Sequence, residues 1–207
     1  NTKIIYLESP NTYTYELQDL EAVAQLAKRR DILTIIDNSY CTPLYQRPLE
    51  RGIDISVQSA TKDIGGHSDV VAGVVSGSRA AIRKIFESEL MNFGGIISPV
   101  PAWLLLRGLR TLEIRLQRSS ESAQKVVDYL ARHPKIEKVL YPFHPSFPQY
   151  ELAKRQMKNA GGLFSVLLKA ATAEAVEKFC ESLRHFLMAV SWGGHESLVF
   201  PALAGFP

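Results

Sequence analysis

The chain has 207 residues, of which 46% are apolar and 22% charged, a balance typical of globular proteins with a sizeable core. Its 24 basic and 21 acidic residues give a net charge of +3 and are scattered through helical patterns, which argues against nucleic-acid binding. No apolar run approaches the ~20 residues of a membrane span and no signal peptide is evident, so we predict a cytoplasmic protein that does not bind membranes.

Short apolar runs alternate with segments of helical periodicity through the first hundred residues. This alternation is typical of a parallel sheet covered by helices, so we predict the α/β fold class with a mostly parallel sheet. The predicted strands and helices of this part are strands at residues 3–7, 32–37, 53–59 and 70–77, and helices at residues 16–30 and 79–90.

A break rich in glycine and proline at residues 94–101 separates this part from the rest of the chain. Helical periodicity then runs from residue 102 to His133, where Pro134 disfavours helix at the preceding residue. The remaining predicted elements are strands at residues 136–140, 163–168 and 186–191, a helix at residues 173–183, and a proline-containing loop before the second of these strands.

The mixed order of the later elements predicts a smaller α+β domain. We therefore divide the chain into part of a large domain at residues 1–118 and, at residues 119–207, a linking helix with part of a smaller C-terminal domain. Because the chain opens directly on a strand pattern and stops just after an apolar stretch, we expect it to be part of a longer polypeptide.

Two charged side chains follow strands of the predicted sheet. Asp37 ends the second strand, and Lys62 follows the third within a segment that contains two hydroxyls, Ser59 and Thr61, and a glycine pair. Ligands of open α/β sheets bind beyond the carboxyl ends of the strands. Pyridoxal phosphate needs an amine for its Schiff base, an acid facing its ring nitrogen and small donors around its phosphate. The pattern therefore predicts a pyridoxal phosphate site.

Each of these residues also has a simpler interpretation. Asp37 could form an Asx turn with Asn38, and Lys62 could be an exposed lysine in a glycine-containing loop. Neither the GxxxxGK[ST] nor the GxGxxG pattern of other phosphate sites is present. Cys41 and Cys180 lack disulfide or zinc-ligand spacing, and we predict no metal site because the histidines show no mutual metal spacing: His67, His133, His144, His185 and His195.

Five segments in order resemble the Cys/Met-metabolism family of pyridoxal-phosphate enzymes, which has the aspartate-aminotransferase-like fold (fold type I). They are residues 37–43, 52–62, 66–69, 107–112 and 191–197. The resemblance implies that Lys62 is the Schiff-base lysine, that Asp37 faces the pyridine nitrogen, and that Ser59 and Thr61 contact the phosphate. It also implies a homotetramer with shared active sites that acts on a small sulfur-containing amino acid.

Further roles follow from the same resemblance. Ser191 matches a residue near the substrate carboxylate and the lysine. Trp192 stands where many members have leucine, and a tryptophan there resembles the bacterial cystathionine β-lyases, although it could simply pack beside the following glycines. Thr12 occupies the place of an asparagine that contacts the cofactor's ring hydroxyl, with Asn11 one residue early. The implied activity is β-elimination of cystathionine to homocysteine, pyruvate and ammonia.

Other elements of the family have no matching position in this chain. They are a cofactor-stacking tyrosine, the phosphate-cup glycines, a Tyr/Arg pair given to the neighbouring subunit, and an arginine that clamps the substrate carboxylate. Arg107 and Arg110 belong to the Arg-Gly-Leu-Arg motif, and we expect them to be structural. Two alternatives remain: cystathionine γ-lyase, methionine γ-lyase or cystathionine γ-synthase chemistry, and a non-catalytic fragment.

Overall fold

A four-stranded sheet lies at the centre of the first half of the protein. The computed structural model describes residues 1–170 and 172–202. Neighbouring strands follow each other in chain order, with the first three parallel and the fourth antiparallel to the third. The strands are β1 (Ile4–Glu8), β2 (Leu33–Asp37), β3 (Ile55–Ser59) and β4 (Gly73–Gly77). This mixed, mostly parallel sheet confirms the predicted α/β class.

Helices and short helical turns connect and cover the strands. A 3₁₀ turn lies at Pro48–Arg51 and a π-helical turn at Phe86–Leu90. In chain order the α-helices are α1 (Leu20–Arg29), α2 (Thr42–Tyr45), α3 (Arg79–Ile85), α4 (Met91–Phe93), α5 (Pro99–Leu109), α6 (Leu112–Leu130), α7 (Tyr150–Gln156) and α8 (Ala173–Glu181). None of the described helices is both long and apolar enough to cross a membrane.

The two faces of the central sheet have different surroundings. Leu7 and Ile36, which are partners in the parallel register, pack with Leu20 and Ala24 of α1 in one buried cluster. Side chains alternate between faces along a strand, so the next residue of β2, Asp37, points to the opposite face. The sheet therefore separates an apolar core from a face that ends in a carboxylate.

Helix α1 begins later than its apolar stripe predicts. The stripe indicated a start near residue 16, but the Asp19 side chain accepts a hydrogen bond from the Ala22 amide at 3.2 Å and caps the helix there. Before the cap, the Asn11 side chain accepts from the Glu16 amide at 2.9 Å and closes a loop. A local capping residue thus overrides the periodicity.

The helix predicted from residue 102 to His133 is two helices. Helix α5 ends at Leu109 and α6 begins at Leu112, with Thr111 preceding the second helix. Helix α5 also starts inside the predicted break, because Pro99 at a first helical position costs no hydrogen bond. The interruption places the Arg-Gly-Leu-Arg motif at a junction between helices.

Two small sheets complete the described part. Strands β5 (Ile136–Leu140) and β6 (Ser165–Leu168) pair antiparallel, and β7 (Leu187–Met188) pairs parallel with β8 (Leu198–Val199). Helix α7 lies between the predicted proline-containing loop at residues 142–148 and the strand predicted at residues 163–168, where we predicted no helix. Strand β7 is shorter than the strand predicted at residues 186–191.

One buried apolar cluster includes residues from both sides of the predicted domain boundary at residue 118. Tyr40 and Cys41 pack in it with Val127 and Tyr141. Burial of such side chains contributes about 25 cal/mol per Å² of apolar surface removed from water. This cluster holds the loop after β2 against α6 and β5, and the division at residue 118 remains a prediction.

Candidate cofactor site

Three parallel strands end at the same edge of the central sheet. Asp37 at the end of β2 is in register with Glu8 of β1 and with Val57 of β3. Ser59 lies two residues beyond Val57, so its side chain shares the face of Asp37. The structure therefore brings together two of the predicted cofactor-binding residues.

The Asp37 carboxylate forms the turn that we considered as the simpler interpretation. Its Oδ1 accepts a hydrogen bond from the Ser39 amide at 2.8 Å. The Ser39 hydroxyl oxygen in turn accepts from the Ser59 amide at 2.6 Å, which ties the ends of β2 and β3 together. A carboxylate has two oxygens. The turn thus fixes the orientation of Asp37 while its other oxygen can serve a ligand.

Lys62 lies in a tight turn immediately after β3. Its amide donates to the Ser59 carbonyl at 3.2 Å, and its carbonyl accepts from the Gly66 amide at 2.8 Å. The Lys62 amine donates from Nζ to Ser191 Oγ at 2.7 Å and lies 4.3 Å from the centroid of the Trp192 ring. Burial lowers the pKa of the Lys62 amine from its ordinary value. Lys62, Ser191 and Trp192 are therefore neighbours in space.

The other two predicted residues are held by protein groups. Thr61 Oγ1 accepts from the Ala72 amide at 3.0 Å and donates to the Ala72 carbonyl at 3.3 Å. Thr12 Oγ1 donates to the Glu8 carboxylate at 2.5 Å, beside the strand end that pairs with Asp37. Each hydroxyl keeps acceptor capacity, and the cofactor contacts of Thr12 and Thr61 remain predictions.

The segment at residues 191–196 packs directly on the lysine loop, which we define as residues 62–68. Gly193 has φ +83°, and a Cβ placed on it would lie 2.5 Å from the Asp63 amide nitrogen and 2.7 Å from the Lys62 carbonyl carbon. Ser191 has φ 116°, a conformation that strains a residue with a side chain. A further contact joins the two segments, because Ser68 Oγ donates to Glu196 Oε2 at 2.7 Å.

Helices α5 and α6 hold the lysine loop from another side. A Cβ on Gly108 would lie less than 3.0 Å from the carbonyl oxygens of Ile64 and Gly65. The Arg115 guanidinium covers Gly66 and donates to the Gly108 carbonyl at 2.9 Å. The sequence did not predict these contacts, although the glycines that permit them stand in the motifs that we singled out.

Arg107 has the structural role that we expected. Its guanidinium forms an ion pair with the Asp69 carboxylate, which links α5 to the residue that follows the lysine loop. The pair lowers the pKa of the exposed Asp69 carboxyl, chiefly through the hydrogen bond from Arg107. Arg107 therefore contributes to the framework around the lysine loop.

Asp63, directly after Lys62, is a buried carboxyl that sequence reasoning missed. Only 8% of its surface is exposed. Burial raises the pKa of Asp63 from its ordinary value of 3.8 to about 6, while the positive charge of Arg115 acts in the opposite direction. An ionised carboxylate at this depth disfavours the folded state.

We expect Asp63→Asn to increase the free energy of unfolding relative to the parent protein, and to do so more above pH 6 than at pH 4. Because the folded-state pKa of Asp63 is raised, its contribution to stability is complete below pH 3.8 and is lost as the pH rises through about 6. Urea unfolding from pH 4 to pH 8 should give a variant-minus-parent free energy that increases with pH by about 1–3 kcal/mol. A difference that is constant with pH would contradict the burial of an ionisable Asp63. Exposed Asp31→Asn is the control.

The donor set at this edge fits pyridoxal phosphate. An amine with a lowered pKa, a carboxylate at the end of the neighbouring strand and a hydroxyl on the same face are the groups that the cofactor requires. Glycines at positions 65 and 66 leave the backbone of the turn without side chains. The residues present are therefore compatible with the cofactor that we predicted.

The chain is similar to proteins of one enzyme family. A family model described as "Cys/Met metabolism PLP-dependent enzyme" matches residues 1–204. The chain is 46% identical over 199 residues to L-methionine gamma-lyase of Pseudomonas deceptionensis, covering 95% of this chain and 50% of that protein. It is 41% identical over 199 residues to cystathionine beta-lyase of Coxiella burnetii, covering 96% and 51%.

A solved structure gives the same result. Cystathionine gamma-lyase from Lactobacillus plantarum, complexed with L-serine, superposes with a TM-score of 0.92 at 37% identity, covering 100% of this chain and 55% of that one. The chain thus spans about half the length of the curated relatives that it matches.

Proposed function

Because the chain belongs to the Cys/Met-metabolism family of pyridoxal-phosphate-dependent enzymes, we propose that the whole protein is a carbon–sulfur lyase. The solved structures to which it is similar have fold type I. The proposed reaction is β-elimination of cystathionine, with uptake of one water molecule, to homocysteine, pyruvate and ammonia. The observation that supports it is the Lys62 amine, which contacts both the Ser191 hydroxyl and the Trp192 ring.

The cofactor contacts of the proposal follow from the carboxyl edge of the sheet. When bound, pyridoxal phosphate supplies an electron-withdrawing ring that stabilises negative charge at the substrate Cα. The Asp37 carboxylate would hold a proton on the ring nitrogen. Ser59 would donate to the phosphate, Thr61 would do so by turning its hydroxyl proton away from the Ala72 carbonyl, and Thr12 would contact the ring hydroxyl.

Lys62 would both bind the cofactor and move a proton. Its lowered pKa increases the fraction of neutral amine near neutral pH, and a neutral amine can accept the Cα proton of the substrate. Ser191 Oγ accepts a hydrogen bond from Nζ and so orients the amine. The same hydroxyl would lie near the substrate carboxylate. Loss of the Cα proton then allows the bond from Cβ to sulfur to break, and the sulfur leaves as a thiol.

Trp192 supports β-elimination over γ-elimination. Its ring lies 4.3 Å from Lys62 Nζ. In γ-elimination the base must also remove a proton from Cβ, which requires the amine to move along the substrate. A large ring against Nζ restricts this movement, so we propose Trp192 as a wall that limits the reaction to Cα proton removal.

The second candidate function is γ-elimination, as in methionine γ-lyases and cystathionine γ-lyases. The observation in its favour is the 46% identity to a methionine gamma-lyase, against 41% to a cystathionine beta-lyase. Both candidates use the same lysine and cofactor. They differ in the keto acid that is released, since γ-elimination gives 2-oxobutyrate instead of pyruvate.

We expect the whole protein, loaded with pyridoxal phosphate, to release pyruvate and homocysteine from cystathionine. Chromatography with mass spectrometry measures both keto acids in one sample, and the Lys62→Ala protein is the blank. Predominant 2-oxobutyrate would favour the γ-lyase candidate. No keto acid from either cystathionine or methionine, in protein that binds the cofactor, would contradict both and favour a non-catalytic role.

Three further features of the proposal remain predictions. They are the homotetramer with shared active sites, the cytoplasmic location, and the assignment of residues 119–207 to a linking helix and part of a smaller domain. The proposed assembly and shared active sites rest on membership of the family.

A further inference from the structure

The contact between Ser191 and Lys62 depends on a strained backbone. Ser191 has φ 116°, a value that is unfavourable for a residue with a side chain. Such a conformation persists only where neighbouring contacts hold it. The contacts that hold this one therefore control whether the hydroxyl stays on the Lys62 amine.

Two contacts fix the segment that follows Ser191. Gly193 packs on the backbone of Lys62 and Asp63, as described above. Three residues further on, Glu196 Oε2 accepts a hydrogen bond from Ser68 Oγ at 2.7 Å. Gly194 lies directly on this pair, since a Cβ there would come within 3.0 Å of both the Ser68 oxygen and Glu196 Oε2. The hydrogen bond between Ser68 and Glu196 thus joins the lysine loop to the segment that carries Ser191.

The charges around Glu196 favour its role as an acceptor. The hydrogen bond from Ser68, followed by smaller effects that include His195, lowers the pKa of the Glu196 carboxyl. His195 Nε2 lies 3.5 Å from Glu196 Oε1, on the other carboxylate oxygen. Glu196 is therefore ionised at neutral pH, and a hydroxyl donates more strongly to an ionised carboxylate than to a neutral oxygen.

We propose that Ser68 and Glu196 are positioning residues, which hold the strained Ser191 hydroxyl on the Lys62 amine without touching substrate or cofactor. Without their hydrogen bond the segment at residues 191–196 relaxes, and the amine loses Ser191 and the covering Trp192 ring. The catalytic consequence rests on the proposed function. The consequence for the Lys62 amine itself is independent of the proposed function.

The test measures the Lys62 amine in the cofactor-free whole protein. A trace of an amine-selective acylating reagent labels the protein over a series of pH values, and mass spectrometry quantifies the label on Lys62. Only the neutral amine reacts, so the pH midpoint of labelling follows the pKa of Lys62. The groups around the two segments that titrate or bear charge are Asp37, Asp63, His67, Arg115, His195 and Glu196. Ser68→Gly leaves all of them unchanged, whereas the Glu196 variants also remove one negative charge.

The informative variants are Ser68→Gly, Glu196→Ala and Glu196→Gln. Ser68 has φ 57°, which glycine adopts without strain, so Ser68→Gly removes the hydroxyl and keeps the turn. Glu196→Gln keeps the size and an accepting oxygen. Asp31→Gly is the matched control, because Asp31 is exposed, has φ 51° and lies in the turn after α1.

We expect the labelling midpoint to move upward in Ser68→Gly and Glu196→Ala, because loss of the covering segment relieves the burial that lowers the pKa of Lys62 and outweighs the lost hydrogen bond to Ser191. Lys62 should then be labelled about threefold to tenfold more slowly at a fixed pH below the midpoint. Glu196→Gln should show a smaller shift. The double variant Ser68→Gly/Glu196→Ala should show no larger a shift than either of its single variants. Asp31→Gly should match the parent. In the cofactor-loaded protein, kcat should fall by a similar factor.

Each result decides one question. An unchanged midpoint in folded Ser68→Gly and Glu196→Ala proteins would overturn the positioning role, whatever the enzyme activity. A shifted midpoint in a protein that releases no keto acid would support the positioning role and contradict the proposed function. Because labelling requires neither cofactor nor substrate, the two failures are distinguishable.

Discussion

Replacing Lys62 with alanine is expected to lower the rate of keto acid release by about 10³-fold or more, because the variant lacks both the amine that bonds to the cofactor and the base that takes the Cα proton. The visible absorbance of the lysine-bound cofactor should disappear. Borohydride reduction followed by mass spectrometry should locate the cofactor on Lys62 in the parent and on no residue of this loop in the variant.

Lys62→Arg tests whether a positive charge at this position is sufficient for activity without a reactive amine. Arginine keeps the positive charge beside Trp192 but stays protonated and does not bond to the cofactor. It should therefore lose as much activity as alanine. Lys28→Ala, in the last turn of α1, is the control for loss of an exposed lysine. A reduced adduct on another lysine, with activity retained in Lys62→Ala, would show that the site lies elsewhere.

Gly108→Ala is expected to destabilise the protein by about 3 kcal/mol, although alanine is usually the better helix former by about 1 kcal/mol. The added methyl group would lie less than 3.0 Å from the Ile64 and Gly65 carbonyl oxygens. These are backbone atoms of the lysine loop and cannot move aside as a flexible side chain can. Urea unfolding of parent and variant gives the difference in free energy.

The control for this substitution is Gly95→Ala, because no atom lies within 4 Å of a Cβ at Gly95. It should change the free energy of unfolding by less than about 1 kcal/mol. If Gly108→Ala is as stable as the parent, α5 does not pack on the lysine loop in the way described. A stable Gly108→Ala protein that binds the cofactor normally would also contradict the packing of α5 on the lysine loop.

Local patterns were sufficient for the strands of the sheet and for the positions of three candidate side chains along it. The continuous apolar run of β2 and the polar residues after β2 and β3 gave Asp37, Ser59 and Lys62 their predicted places at one edge. The alternation of strands and helices predicts a mostly parallel sheet, but it does not give the direction of each single strand. The antiparallel pairing of β4 was therefore visible only in the structure.

The contacts that complete the site were beyond such patterns. Ser191 lies 129 residues after Lys62, and no local spacing predicts which distant residue meets the amine. The resemblance to a family supplied Ser191 and Trp192, whereas Ser68 and Glu196 were found from the structure. Helix ends were missed for a different reason, since the Asp19 cap and the break at Thr111 interrupt an otherwise continuous apolar period.

The separation between Lys62 and Ser191 also bears on the order in which the protein is built. During synthesis on the ribosome the lysine loop emerges long before the segment that completes it, because 129 residues separate the two partners of the amine. Contacts at such separation form late in folding, after the intervening chain has been ordered. A nascent chain is thus expected to expose an unshielded Lys62, and a finished cofactor site should arise only in the last stages of folding.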